Sequence, residues 1–243
     1  MTPSSLDLFF RKLERRDNVS ADEREALIRT GGAEADFPAG SDLVREGDRP
    51  ERSTLIVSGF STRYRVLADG SRQITAIHVP GDFVDLHSFV LKQMDHSVGA
   101  LSDCHAIFFP HQGLKDLTEH YPHLTRLLWL MTLLDSAIHR EWIVAMGRRS
   151  TGSQLAHLVC ELFVRLDLIG LVRDNTYVLP ITQIELSDTL GVSPVHVNRV
   201  LQELRSEKLF TWNNQRIQIL DWDRLRQRAE FDPRYLHLEN LPR

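Results

Sequence analysis

Cysteine is scarce in this chain. Its 243 residues hold two, Cys104 and Cys160, with no Cys-x-x-Cys pair, which excludes a four-cysteine zinc site. Two such thiols in a reducing compartment are buried or free rather than bonded. Long apolar runs are missing too: none reaches the roughly 18 residues that a membrane helix needs. The start, Met1 to Asp7, lacks the basic head and apolar core of a secretory leader. The cytoplasm is therefore the expected compartment, with no membrane partner. There is no P-loop, no Gly-x-Gly-x-x-Gly and no paired nucleophile and base. No His-x-His occurs, which a cupin-type metal barrel requires. The chain is expected to be no enzyme, with no catalytic residues and no metal site. A cupin-like metal enzyme stays as an alternative only through the β-rich region and its several histidines.

An excess of positive charge is also absent. The net charge is −4. Residues 148–243 carry 13 Lys and Arg against 12 Asp and Glu, leaving them at +1 and the preceding residues at −5. Any nucleic-acid binding must come from a few placed cations rather than a global field. What is present is ordinary for a globular protein: 42% hydrophobic and 26% charged residues, in a length that fits one large or two modest domains.

The chain opens helical, with Leu6, Phe9, Phe10 and Leu13 at helical spacing. Ser20 to Glu23 reads as a capping box opening a second helix that Gly31-Gly32 ends. From Ala33 to about Pro110 the pattern becomes short β-branched runs divided by turn signals roughly every ten residues. Asp69-Gly70 between two such runs predicts a hairpin, and the spacing predicts a barrel or jelly roll. His78, His87, His96 and His105 fall nine apart, but no other residue type repeats with them. A long helical segment follows from about Gln112 to Met146, with Pro122 as a restart or kink. Leu127, Met131, Leu134 and Ile138 form a stripe along it. That stripe reads either as packing on its own domain or as a coiled-coil seam joining two subunits. The segment Gly147 to Gly152 marks a boundary before further helix.

Residues 181–204 are the most informative. Thr182 is an N-cap with Glu185 three residues on, and Leu186 and Leu190 give the first helix an apolar face. Gly191 makes a tight turn, Ser193 is a second N-cap and Pro194 sits at the first helical position. Val197, Val200, Leu201 and Leu204 hold the second helix against the first. Val195, His196, Asn198, Arg199 and Gln202 are left to face outward. Arg199 suits guanine, Asn198 or Gln202 adenine or phosphate, and Val195 a thymine methyl. The helix N-termini at Thr182, Gln183 and Ser193 suit phosphates. Leu209 to Leu220 reads as a hairpin, the wing. Together these predict a winged helix-turn-helix that binds double-stranded DNA.

These motifs resemble the cyclic-AMP receptor / fumarate-nitrate regulator superfamily over nearly the whole chain. The carriers are the β-roll with Pro80-Gly81-Asp82-Phe83, the long helix, and Ile181 through Leu201. The resemblance implies an α+β fold in three parts. These are an N-terminal double-stranded β-helix (jelly-roll) sensor domain over residues 1–111, a dimerisation helix over 112–147 and a winged helix-turn-helix over 148–243. It further implies a homodimer on near-palindromic promoter DNA, contact with RNA polymerase, and a small-molecule effector. The effector pocket would lie at Val84, Asp85, His87, His96 and Ser97. Cyclic-nucleotide binders of the family carry Gly-Glu and later an arginine for the cyclic phosphate; here stand Phe83-Val84-Asp85-Leu86-His87 and His96-Ser97-Val98. Iron–sulfur members need an N-terminal cysteine cluster, which is missing. His87 falls near the axial histidine of haem-binding members, whose partnering cysteine position is Asp85. A cyclic-nucleotide or haem sensor is the alternative reading, and no cofactor is expected. Many members have glutamate where this chain has Val195, so its half-site should differ where a cytosine would be read.

Overall fold

A computed structural model describes residues 3–243, so Met1 and Thr2, part of the segment read for a leader, lie outside the described residues. The chain divides into two compact units. The first comprises residues up to Arg65, Ala76–Ser136 and the tail His237–Arg243. The second comprises Val66–Thr75 and Ala137–Leu236. The division falls inside the long helix and at the tip of a hairpin.

In the first unit, α1 (Asp7–Glu14) buries Phe9, Phe10 and Leu13. α2 (Ala21–Thr30) opens on a complete capping box, in which Ser20 and Glu23 satisfy each other's backbone N–H groups. Seven strands follow: β1 (Glu34–Phe37), β2 (Asp42–Val44), β3 (Arg52–Ser58), β4 (Ser61–Val66), β5 (Arg72–His78), β6 (Ser97–Ala100) and β7 (Cys104–Pro110). A one-turn helix, α3 (Ser88–Leu91), interrupts them between β5 and β6. The strands form two sheets, β1-β7-β3 and β2-β6-β4-β5, with β7 antiparallel to β1 and β3, and β6 antiparallel to β2 and β4. Ile56 and Ala106 from one sheet meet Val44 and Val98 from the other in a single apolar cluster with Val84 and Met94. This is the jelly-roll arrangement, two antiparallel sheets packed face to face around that cluster.

The Pro80-Gly81-Asp82 turn has a packing reason. Gly81 has φ +80°, and a Cβ there would lie 2.9 Å from the backbone of Leu8. Asp82 accepts from Val79 N at 2.8 Å and from Lys12 Nζ at 2.5 Å, which ties the turn to α1.

The segment expected as one helix from Gln112 is two, α4 (His111–His120) and α5 (Pro122–Arg148). Tyr121 between them has φ −124° and ψ 78°, because a residue before proline is pushed off the helical region. Leu114, Leu117, Leu124, Leu127 and Leu128 pack with α1 and α2 in a second core cluster. The tail returns to this unit, with Leu241 N on Arg16 O at 2.9 Å and Arg243 N on Asp17 Oδ2 at 2.7 Å.

In the second unit α6 (Thr151–Leu168) is the keel, with Leu155, Val159, Leu162 and Leu166 buried. β8 (Thr176–Val178), α7 (Gln183–Leu190), α8 (Pro194–Ser206), β9 (Phe210–Asn213), β10 (Arg216–Ile219) and α9 (Trp222–Ala229) follow, with sheet order β8-β10-β9. Glu161 of α6 is sealed from solvent and accepts from Trp142 Nε1 (3.1 Å), Tyr235 Oη (2.9 Å) and Arg165 Nη1 (3.0 Å). A buried carboxylate is tolerated only when so paired. It locks α5, α6 and the segment after α9 together.

His123 at the start of α5 sits between Glu23 Oε1 (2.6 Å) and Asp17 Oδ2 (3.2 Å). Burial pulls its pKa down, but the hydrogen bonds to Glu23 and Asp17 outweigh that, and the net shift is upward. Both carboxylates are lowered despite their own burial: Asp17 by bonds from His123, Asn18 N and Arg243 N, and Glu23 by bonds from Ser20 and then His123. The cluster therefore stabilises the fold above the ordinary carboxylate range. The histidine's share is complete below about pH 6.5 and is lost as pH rises through the higher folded value. His123→Gln should lower Tm by roughly 2–4 °C at pH 6 and by less than half that at pH 9. Thermal melts at both pH values check this; an equal loss at both contradicts it.

Candidate DNA-binding surface and effector pocket

The geometry of the helix-turn-helix follows from a few local bonds. Thr182 caps α7: Glu185 N donates to Thr182 Oγ1 at 3.2 Å, and Thr182 N donates to Glu185 Oε2 at 2.8 Å. Gly191 ends α7 in the left-handed region (φ 66°, ψ 32°), where a side chain would be strained. Ser193 then caps α8, accepting from His196 N at 3.3 Å, with Pro194 at the first turn. Val197, Val200, Leu201 and Leu204 are buried. Ser193, Pro194, Val195, Asn198, Arg199 and Gln202 are exposed and His196 is half-buried, so one face of α8 is free. Val195 is 80% exposed, an unusual position for a β-branched apolar residue. Thr182 and Gln183 are exposed at the start of α7.

Arg199 Nη2 lies 3.1 Å from His196 Nδ1, so the guanidinium is held near the start of the helix. Behind α8, Arg228 of α9 reaches Glu203 Oε1 (2.8 Å), Glu207 Oε1 (3.4 Å) and Ser153 Oγ (2.8 Å). It bridges α6, α8 and α9. Gly152 makes room for it, since a Cβ there would lie 2.5 Å from Arg228 Nη2. The wing is β9 and β10, closed by Asn214 (φ 46°) and Gln215 (φ 65°). Two successive positive φ angles make the tight hairpin turn whose twist matches its strands. Arg216 beside that turn is exposed.

The pocket residues of the first unit are divided. Val84 is buried in the core. Asp85 is buried with both oxygens on Thr54: the backbone N at 2.5 Å and Oγ1 at 3.0 Å. Burial pushes its pKa up to about 7, against those bonds and the nearby charge of Arg63. Ser97 Oγ accepts from Glu46 N at 3.0 Å. His87 and His96 come together, with ring centroids 4.9 Å apart. Burial, helped by Arg63 and His87, brings His96 down to about 4, so its ring is neutral at neutral pH. Arg63, itself buried, pairs with Asp135 Oδ2 of α5 at 2.7 Å and donates to Val84 O at 3.2 Å.

Residues 153–228 match the family model of the Crp-like helix-turn-helix domain, and residues 34–121 match that of the cyclic nucleotide-binding domain. The chain belongs to the Crp/Fnr superfamily of transcription regulators. It is similar to the transcriptional activator protein FnrL of Cereibacter sphaeroides, 26% identical over 200 residues, which are 81% of this chain and 80% of that protein. It is also similar to the nitrogen fixation regulation protein FixK of Bradyrhizobium diazoefficiens, 26% identical over 178 residues, 71% of this chain and 72% of that one. The solved structure of FixK2 from Bradyrhizobium japonicum superposes with a TM-score of 0.74, at 22% identity over 80% of this chain and 96% of that one. This Crp/Fnr protein is a DNA-binding transcription regulator with a β-rich N-terminal domain, a long helix and a C-terminal helix-turn-helix. No described helix is long and apolar enough to cross a membrane.

In the long helix of this Crp/Fnr regulator, Leu127 and Leu134 are buried within their own chain, and Met131 and Ile138 are half-buried. The large apolar residues left exposed on α5 are Trp129, Leu133, Ile143, Val144 and Met146. The stripe of Leu127, Met131, Leu134 and Ile138 is thus turned at least partly into its own chain. Arg228, Arg216 and Arg63 were missed, because each acts on residues far away in the chain or lies outside the motif. Thr182→Ala and Ser193→Ala should each cost about 1 kcal/mol of stability through a lost cap. Urea unfolding measures this, and unchanged midpoints contradict the capping geometry.

Proposed function

We propose that this regulator binds near-palindromic promoter DNA as a homodimer, with α8 of each subunit in the major groove. The observation that carries the reading is the exposed row Val195, Asn198, Arg199 and Gln202 on α8, which Ser193 caps, behind an α7 that Thr182 caps. Arg199 reads a guanine, Asn198 or Gln202 an adenine or a phosphate, and Val195 offers only apolar contact where a carboxylate would accept from cytosine. His196 flanks the groove and steadies Arg199. Thr182, Gln183, Ser193 and Pro194 set helix N-termini against phosphates, and Arg216 on the wing adds a cation. The subunits join along α5, where Trp129, Leu133 and Ile143 follow i, i+4, i+14 and leave an apolar stripe uncovered. Met131 and Ile138 border it, and Leu127 and Leu134 support it from within. The three-part division at residues 111/112 and 147/148 describes these roles, and bound promoter DNA places the dimer beside RNA polymerase in the cytoplasm.

The β-roll is the sensor, with Val84, Asp85, His87, His96 and Ser97 at its pocket. A cyclic nucleotide does not fit those residues. Asp85 is buried with both oxygens on Thr54 and Arg63 is committed to Asp135 and Val84, so neither offers a phosphate a charge partner. The only cation from Phe83 to Ser97 is Lys92, whose ammonium donates to Phe89 O. An iron–sulfur cluster does not fit either, since Cys104 and Cys160 are both buried and cannot supply four thiolates.

Arg199→Ala should weaken binding to a cognate site by about 1–3 kcal/mol without changing the melting curve. Fluorescence anisotropy on labelled duplex measures it, and unchanged affinity would remove Arg199 from recognition. Trp129→Glu with Leu133→Glu should sediment as a monomer, whereas a dimer would place the seam elsewhere.

A further inference from the structure

Two histidines close the base of the loop that carries α3. His87 immediately precedes α3 and His96 immediately precedes β6. Their rings lie 4.9 Å apart and are tilted by 43°. The His96 side chain is nine-tenths buried, and its Nε2 is shut off from solvent with no hydrogen-bond partner. A sealed ring nitrogen without a partner carries a free-energy cost that a ligand would relieve. The other nitrogen, Nδ1, is held by Asp95 Oδ1 at 2.6 Å. Asp95 itself is exposed, so one side of the cluster opens to water. One ligand atom from each of His87, Asp95 and His96 lies within 4.8 Å of the others.

We propose that His87, His96 and Asp95 form a site for a first-row divalent transition-metal ion, and that this ion is the effector of the sensor domain. The donor set decides the class. Two imidazoles and one carboxylate, with remaining positions open to water, suit zinc, iron(II), cobalt(II) or nickel(II) rather than the oxygen-seeking calcium or magnesium. Donors around such an ion sit about 3–4 Å apart. To join the two imidazoles on one ion, Asp95 would leave His96 Nδ1 and swing toward Nε2, a movement that its exposed side chain allows. Haem is the wrong size. A porphyrin between two axial imidazoles needs a metal–nitrogen bond of about 2 Å on each face, which sets the ring centres about 6 Å apart. An anion is disfavoured by the carboxylate of Asp95.

Binding would fasten both ends of the segment from His87 to His96. Val84, three residues before His87, accepts from Arg63, which pairs with Asp135 on α5. A change in the loop therefore reaches the long helix through one buried guanidinium. The site deepens the reading of the roll as a sensor, and rests on that reading only for its effect on DNA.

The test uses the full chain, chelator-treated and desalted, titrated with cobalt(II) while its visible absorption is followed. The expected result is a saturating band at one equivalent per chain, bleached by zinc(II). His96→Ala and His87→Gln should each weaken binding at least about 10-fold. The half-buried His87 makes the second variant safe should the first fail to fold, and circular dichroism confirms both. His105→Ala, at a surface histidine outside the cluster, should leave the titration unchanged. No saturating band, or equal affinity in the His87 and His96 variants, overturns the site. Saturable metal binding with no change in affinity for a cognate duplex overturns the effector role. A chain that binds metal but no DNA in either state would instead sink the proposed function and leave the site standing.

Discussion

A guanidinium with almost no access to water holds the β-rich unit in register. Arg63 of β4 has 6% of its surface exposed and pairs with Asp135 on α5 and the carbonyl of Val84. Stripping a guanidinium of water costs several kcal/mol unless its hydrogen bonds are replaced, so these partners are not interchangeable with solvent. The same charge lowers His96 and restrains the rise of Asp85. Burial is the larger influence on both groups, and this one cation adds to it at His96, opposes it at Asp85, and ties β4 to α5. Arg63→Ala would leave Asp135 and Val84 O without that donor.

The DNA-binding unit solves a different problem. A recognition helix must expose a polar face and still be rigid, so its stability has to come from behind. Val197, Val200, Leu201 and Leu204 supply the apolar part, and Arg228 supplies a polar brace from α9 and α6. The sealed Glu161 network fixes the keel to which α8 is anchored. None of these groups touches the outward row, so Val195, Asn198, Arg199 and Gln202 can vary in identity without loss of the fold. That separation lets a chain with a net charge of −4 bind DNA through a handful of side chains.

What was legible in the sequence acts over a few residues. The caps at Ser20, Thr182 and Ser193, the turn at Gly191 and the Asp69-Gly70 hairpin all complete their bonds within about one helical turn or one hairpin. The illegible parts are bonds between distant segments. Arg63 and Asp135 are 72 residues apart, and Arg228 and Ser153 are 75 apart. The resemblance puts His87 and His96 in one expected pocket, but their nine-residue spacing does not show that the rings meet until the chain turns at α3. On α5, periodicity shows that apolar faces exist but not which one the chain covers itself. The core took Leu127 and Leu134, while Trp129 and Leu133 stayed outside.

The most direct measurement on the central claim is selection of bound sequences from a random duplex pool by the full chain, read by sequencing. A two-fold regulator with α8 in the groove should enrich an inverted repeat with half-sites centred about 10–11 base pairs apart, or a multiple of that. Each half-site should carry a guanine for Arg199 and depart from a cytosine requirement at the base facing Val195. Enrichment of no motif, or of a single half-site without symmetry, would contradict it.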